Sequence, residues 1–179
     1  MNIIDQIKEN IDNNSNITNE VKNNIMELVI IFNNKFPNID LNNLANRLKT
    51  LKIEIGSKYV YREVSQYNPT ENVLVLNMSE LSKDHDMRHV LMYELLHIIT
   101  AKDNFVGFDK DNKLIALNTG YTEILTNNLV GNESDIDYHI DEVIATNVIA
   151  NMMCNDVMYK AYFENDYNLI SNVLENAGL

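Results

Sequence analysis

Residues 90–99, VLMYELLHII, decide the fold: this almost unbroken apolar run carries a carboxylate, Glu94, and an imidazole, His97. Apolar residues recur around it at helical spacing, which predicts a helix from Ser82 to about Thr100 with a broad apolar face. A carboxylate near a dry core has to be paired or have its pKa raised. We therefore expect polar side chains from other parts of the chain to meet Glu94 on this helix.

The residues before this helix predict a helical layer followed by short strands. Apolar spacing predicts helices around residues 3–11 and 21–32, with Pro37 ending the second, and a short third helix over Leu41–Leu48. The pattern then changes to alternation, and three strands are expected over Leu51–Ile55, Tyr59–Val64 and Val73–Leu76.

The second half of the chain predicts further helices, over residues 114–130, 136–153 and 157–174, the last with a break near Asn165. The fold class expected is therefore α+β, mostly helical, with a small three-stranded sheet and N-terminal helices. We divide the chain into residues 1–50, a helical layer that belongs to the same domain or extends it, and residues 51–179.

Composition narrows the choice of partners. The 179 residues contain 14 basic and 26 acidic side chains, a formal net charge of −12, which argues against binding nucleic acid or an anionic membrane. No apolar run is long enough to span a bilayer, and the first residues do not resemble a signal peptide. The single Cys154 excludes an internal disulfide. A cytoplasmic protein is expected.

The segment Tyr93-Glu94-Leu95-Leu96-His97 resembles the active-site helix of zinc metallopeptidases, His-Glu-x-x-His in an apolar frame. In that motif the two His bind zinc from one helix face, and the Glu is the general base for the metal-bound water. His97 stands at the second ligand position and Glu94 at the position of the base. Tyr93 replaces the first ligand.

A second segment, Leu117–Glu123, is similar to the Asn-Glu-Gly-x-x-Glu stretch of the gluzincin branch. Its third-ligand position is Thr119, 22 residues after His97, a separation that suits the family, and Glu123 lies one turn beyond as a supporting or capping residue. Residues 137–145 and 158–166 resemble the C-terminal helices of small zincin-like domains of low-GC Gram-positive bacteria. The resemblance covers roughly residues 50–179.

The resemblance implies a degenerate site. Of the three ligand positions only His97 keeps a good zinc ligand, because Thr is neutral and Tyr has to ionise first. We expect no metal cofactor, with the Tyr93 ring filling the volume of the lost metal and His97, Tyr93 or Thr119 hydrogen-bonded to Glu94. Tyr93, Glu94, His97, Thr119 and Glu123 are then vestigial motif positions.

The function expected is that of a catalytically inactive metallopeptidase-like domain, a pseudoenzyme that binds a protein or peptide. The strand Val73–Leu76 corresponds to the region where zincins hold an extended peptide, and the acidic surface favours a basic partner. One alternative is a zinc-dependent peptidase with nonstandard ligands, His97 with Tyr93, Glu123 or His139, and Glu94 as the base. Another is a structural protein of a mobile element or prophage.

The other histidines give weaker signals. His85 and His89 are four residues apart in polar surroundings, so they are expected to be solvated at an exposed helix start. His89 and His97 lie about 12 Å apart along a helix, which argues against their sharing one metal ion.

Overall fold

The computed structural model describes residues 2–56, 64–77, 81, 85–110 and 113–176, without the side chain of Leu174. These residues form eight helices and a three-stranded sheet, which confirms the predicted α+β, mostly helical class. The helices are α1 (Ile3–Asp12), α2 (Asn19–Lys35), α3 (Asn42–Thr50), α4 (Met87–Thr100), α5 (Ile115–Val130), α6 (Ile140–Met152), α7 (Asn155–Phe163) and α8 (Asn168–Asn176). The strands are β1 (Lys52–Ile55), β2 (Ser65–Asn68) and β3 (Val73–Leu76).

Helix α4 lies at the centre of the molecule, because it is apolar on nearly every side. It packs against α2, α3, α5, α7 and β2. The predicted start at Ser82 was wrong: the described residues just before the helix are not helical, and Asp86 caps it by accepting the N–H groups of Arg88 and His89. The cap fixes the first turn and with it the direction in which His89 points.

The sheet has the order β1–β3–β2, so β3 is its central strand. β1 runs parallel to β3, whereas β2 runs antiparallel to it, with Ser65 opposite Leu76 and Asn68 opposite Val73. β1 and β3 were predicted. The predicted strand Tyr59–Val64 lies outside the described residues except for Val64, and β2, which follows it, was missed.

The N-terminal helices and the C-terminal tail join one continuous apolar core. Buried side chains from Ile7 to Ile170 form a single cluster. Phe32 on α2 packs edge-on against Phe163 on α7, with ring centroids 5.6 Å apart. The predicted break in the tail is confirmed at Asn165, which separates α7 from α8 with a φ of 57°. The division at residue 50 stays a prediction.

In the part of the chain that the structure describes, no helix has both the length and the apolar character that crossing a lipid bilayer requires.

Candidate functional site

The structure brings together the three positions that correspond to zinc ligands in the family that the sequence resembles. Tyr93 and His97 lie one turn apart on α4, with their rings perpendicular and the ring centroids 4.7 Å apart. The Thr119 side chain on α5 contacts the Tyr93 hydroxyl. Residues 26 positions apart in sequence thus meet on facing sides of two packed helices.

The donors at these positions do not fit a zinc ion. Burial, together with the negative charge of Glu94, raises the pKa of Tyr93 well above its usual value, so the phenol keeps its proton. Thr119 is neutral, which leaves the His97 imidazole as the one good ligand. Among the described residues, no group of three or more His, Cys, Asp or Glu side chains is placed to hold a metal ion.

His97 is a neutral imidazole in this environment. Burial and the nearby His139 lower its pKa from 6.5 to about 3. Its Nδ1 has no hydrogen-bond partner among the described residues. A proton on this ring would therefore be destabilised both by the lack of water and by the second imidazole.

Glu94 is buried, with 2 % of its surface exposed, and Ser65 on β2 donates a hydrogen bond to its Oε1 over 2.6 Å. The expectation that His97, Tyr93 or Thr119 would hydrogen-bond this carboxylate was wrong. The physical reason is that β2 packs against α4 and brings Ser65 to Glu94, whereas His97 and Tyr93 pack against each other.

His89 and Glu123 form a buried ion pair beside this cluster. The Nε2 atom of His89 lies 2.9 Å from Oε1 and 3.2 Å from Oε2 of Glu123, and Asn127 also donates to Oε1 at 2.8 Å. The side chain of His89 is 1 % exposed, so the expectation of a solvated histidine was wrong. Glu123 is engaged by His89 rather than by His97.

Both ring nitrogens of His89 face acceptors, because Nδ1 lies 2.7 Å from the Gly131 carbonyl oxygen. Only the imidazolium form has a proton on each nitrogen and can donate to both acceptors. Burial lowers the pKa of His89, but the hydrogen bonds to Glu123 and Gly131 and the charges of Glu123 and Asp86 outweigh burial and raise the pKa above 6.5.

Two aromatic residues just before α6 cover the two clusters. The Tyr138 ring stacks on His89 with centroids 4.8 Å apart, and its hydroxyl lies 2.8 Å from Nδ1 of His85. His139, held in the left-handed conformation with a φ of 51°, stacks on Tyr93 with centroids 5.4 Å apart. The segment that leads into α6 therefore forms one wall of the site.

These side chains enclose a small cavity of about 90 Å³. Both carboxylates, Glu94 and Glu123, line it, together with Ser65, His89, Tyr93 and His139. The cavity is well below the 300–1,000 Å³ of typical small-molecule sites, so it has room for a few water molecules or one small side chain.

The sequence contained one signal for the missed contacts. His89, Tyr93 and His97 recur every four residues, which places them along one side of α4, and His85 precedes the helix at the same spacing. The expectation that the Tyr93 ring lies in the core on that side therefore pointed to a buried His89 one turn earlier. Nothing local pointed to Ser65 or Tyr138, because both come from distant segments.

The site as a whole consists of two polar clusters side by side along α4. One is a charged pair, His89 with Glu123, and the other is the group around Tyr93, Glu94 and His97. Comparisons with protein-family models, with curated proteins and with solved structures give no match.

Proposed function

We propose that this protein is a catalytically inactive, metallopeptidase-like domain that binds an extended peptide. The observation that carries the proposal is the meeting of Tyr93, His97 and Thr119 at the three family ligand positions, with a protonated phenol and a hydroxyl where a working site needs stronger donors. The resemblance in sequence and the proximity in space support each other. A site of this donor set keeps the scaffold without the metal chemistry.

The peptide is proposed to add to the outer edge of β2 rather than to β3. β3 is the central strand and has both edges occupied, so the expected strand Val73–Leu76 has no edge to offer. β2 is an edge strand, and no described residue pairs with its outer side. Strand addition supplies affinity through main-chain hydrogen bonds.

The register identifies the groups that would bind the peptide. The Asn77 amide donates to the Val64 carbonyl, and in an antiparallel pair such bonded positions alternate. Gln66 and Asn68 therefore bond to β3, while the N–H and C=O groups of Ser65 and Tyr67 point to the outer edge. Because Ser65 also lines the cavity, a peptide at this edge would place a small side chain beside Glu94.

The negative charge of the protein favours a basic peptide as the ligand. The acidic residues Asp86, Glu133 and Asp135 line a polar depression beside His85, at the cavity end of α4. The chain as a whole carries a net charge of −12. The same proposal includes a cytoplasmic location and a protein or peptide partner, rather than nucleic acid or a membrane.

The alternative is a metal-dependent peptidase with nonstandard ligands and Glu94 as the general base. One observation favours it: His139 lies against Tyr93 and close enough to His97 to lower the pKa of that ring. Elemental mass spectrometry of the untagged protein after dialysis against a weak chelator separates the two functions. Stoichiometric zinc, with peptide cleavage that disappears in Glu94→Gln, would establish the alternative.

A separate experiment tests whether a peptide binds at the edge of β2. A synthetic positional-scanning peptide library, screened against the purified protein, would yield a best peptide, whose affinity is then measured by calorimetry. N-methylation of each peptide amide in turn should abolish binding at every second position, because alternate amides face β2. Cleavage should be absent by mass spectrometry. Binding that ignores N-methylation, or a library without binders, would refute the strand-addition proposal.

A further inference from the structure

Helix α6 carries a line of exposed apolar side chains. Ile140, Ile144, Val148 and Met152 recur every four residues and are 49 %, 59 %, 61 % and 46 % exposed. At 1.5 Å per residue they extend over about 18 Å along one side of the helix. We call these four residues the α6 stripe.

The other side of α6 is already packed, so the stripe is not needed for the core. Gly120 on α5 lies directly against the Glu142 backbone and the Thr146 side chain, where even a Cβ atom would collide. Thr146 is 1 % exposed, whereas the stripe residues before and after it face solvent. Single exposed apolar residues are ordinary, but a contiguous line of four at helical spacing indicates an interaction surface.

The charge around the stripe indicates the kind of partner. Residues 114–159 contain no Lys or Arg, but they contain seven acidic residues, Glu123, Glu133, Asp135, Asp137, Asp141, Glu142 and Asp156. Glu123 pairs with His89, and five of the other six acidic residues precede the stripe or lie in its first turn. The surface therefore combines an apolar line with negative charge at its N-terminal end, where no Lys or Arg of the described residues forms an ion pair.

We propose that the α6 stripe binds a cationic amphipathic helix of another protein. Apolar residues of such a helix, spaced three and four apart, would cover the stripe, and its Lys and Arg side chains would face Asp137 and Asp141. An antiparallel arrangement would place the C-terminal turn of the partner, where cations are favoured, at this acidic end. A second copy would bring the same negative charges together, which opposes self-association.

The surface is distinct from the β2 edge, so the proposal stands or falls independently of peptide binding there. Its test uses a designed helical peptide of about 18 residues, long enough to cover the stripe, with Leu on one side and Lys on the flanks. A second peptide replaces every Lys by Glu, and a third replaces every Leu by Ser. Calorimetry measures affinity, and circular dichroism measures the helix gained on binding.

The cationic amphipathic peptide should bind and become helical, and both altered peptides should bind at least about tenfold more weakly. The double substitution Ile144→Asn/Val148→Asn should reduce the affinity by a similar factor. The matched control is Ile30→Asn/Ile55→Asn, which changes two apolar residues elsewhere that are 48 % and 66 % exposed, and it should leave affinity unchanged.

Three results would overturn the proposal. Equal binding of the Lys and Glu peptides would remove the charge argument, and unchanged binding to the α6 double variant would place the peptide elsewhere. Sedimentation of the protein alone as a dimer, which becomes a monomer in Ile144→Asn/Val148→Asn, would assign the stripe to a second copy. The peptide series tests the proposal on unaltered protein, whatever the stability of the variants.

Discussion

The imidazole of His89 and the carboxylate of Glu123 form a buried ion pair 2.9 Å long, with 1 % and 2 % of the two side chains exposed. The pair links α4 to α5 next to the cavity. Each charge is held in the protein interior by the other, so neither residue can be changed alone without leaving an uncompensated group.

Glu123→Leu is expected to lower the free energy of unfolding by about 3–5 kcal/mol, because it leaves His89 buried without its counter-ion. Urea denaturation measures the loss. The double variant His89→Leu/Glu123→Leu should recover part of it. As a control, Arg88→Gln removes the neighbouring exposed pair with Glu27, 3.0 Å long, and should cost less than about 1 kcal/mol. Equal losses of stability in Glu123→Leu and Arg88→Gln would contradict the burial of the His89–Glu123 pair.

The same pair predicts a loss of stability as pH rises above 6.5. The pKa of His89 in the folded protein is raised above 6.5, so the folded state binds a proton that the unfolded state releases first. The contribution is complete below pH 6.5 and disappears as pH rises through the folded-state pKa. His89→Gln should remove this component from the pH dependence of unfolding. A histidine resonance of His89 that titrates below 6.5 would disprove the assignment.

His97 predicts the opposite dependence. Its pKa in the folded protein is lowered to about 3, so below pH 6.5 the unfolded state binds a proton that the folded state does not accept. The free energy of unfolding should fall as pH is lowered, by about 1–2 kcal/mol at a pH near 5. His97→Gln should lack this component in urea denaturation measured at several pH values. If the free energy of unfolding fell equally with pH in the unaltered protein and in His97→Gln, the imidazole of His97 would have to be hydrated in the folded state.

Tyr93→His/Thr119→Glu should create a zinc site with His97, because these two substitutions supply the missing ligands at positions that already meet in space. Calorimetry should show one zinc ion bound per chain, and addition of His97→Ala should abolish binding. Tyr93→His/Thr119→Gln is the matched control, since it keeps the size of the side chain but removes the carboxylate. No zinc uptake by the double variant would reject the alignment with the metallopeptidase motif.

Gly120→Ala should destabilise the protein by about 1–3 kcal/mol, because the added methyl group meets the Glu142 backbone and the Thr146 side chain. Alanine has a higher helix propensity than glycine, so without this contact the substitution would stabilise α5. Asn128→Ala, at an exposed position of the same helix, should not destabilise. Urea denaturation compares the two, and a stabilised Gly120→Ala would mean that α5 and α6 are not in close contact.

The elements that the sequence predicted are those with a strong local pattern. Residues 90–99 are apolar enough to require burial as a helix, and Val73–Leu76 is a short apolar run that becomes the central strand. β2 was missed because its sequence, SQYN, is polar apart from Tyr67. It is a strand because β3 offers a hydrogen-bonding edge, which is a tertiary cause that no local pattern reveals.

The residues of the candidate site were likewise predictable only where a local sequence pattern marks them. The spacing of Tyr93, His97 and Thr119 could be taken from a motif, whereas the burial of His89 depends on a carboxylate 34 residues later and on the Tyr138 ring above it. The polar flanks of His89 suggested solvent, because its partners are distant in sequence. Ser65 was missed for the same reason, since it reaches Glu94 across 29 residues of chain.

The C-terminal end of α4 has its carbonyl groups bound by asparagine amides from both ends of the chain. Asn43 donates to the carbonyl oxygens of Ile99 and Ala101 at 3.1 and 2.8 Å, and Asn165 donates to that of Thr100 at 2.8 Å. Deamidation of either asparagine would put a carboxylate against these oxygens and turn attraction into repulsion. Slow deamidation in the first turn of α3 or in the turn after α7 would thus act on the helix that carries Glu94 and His97.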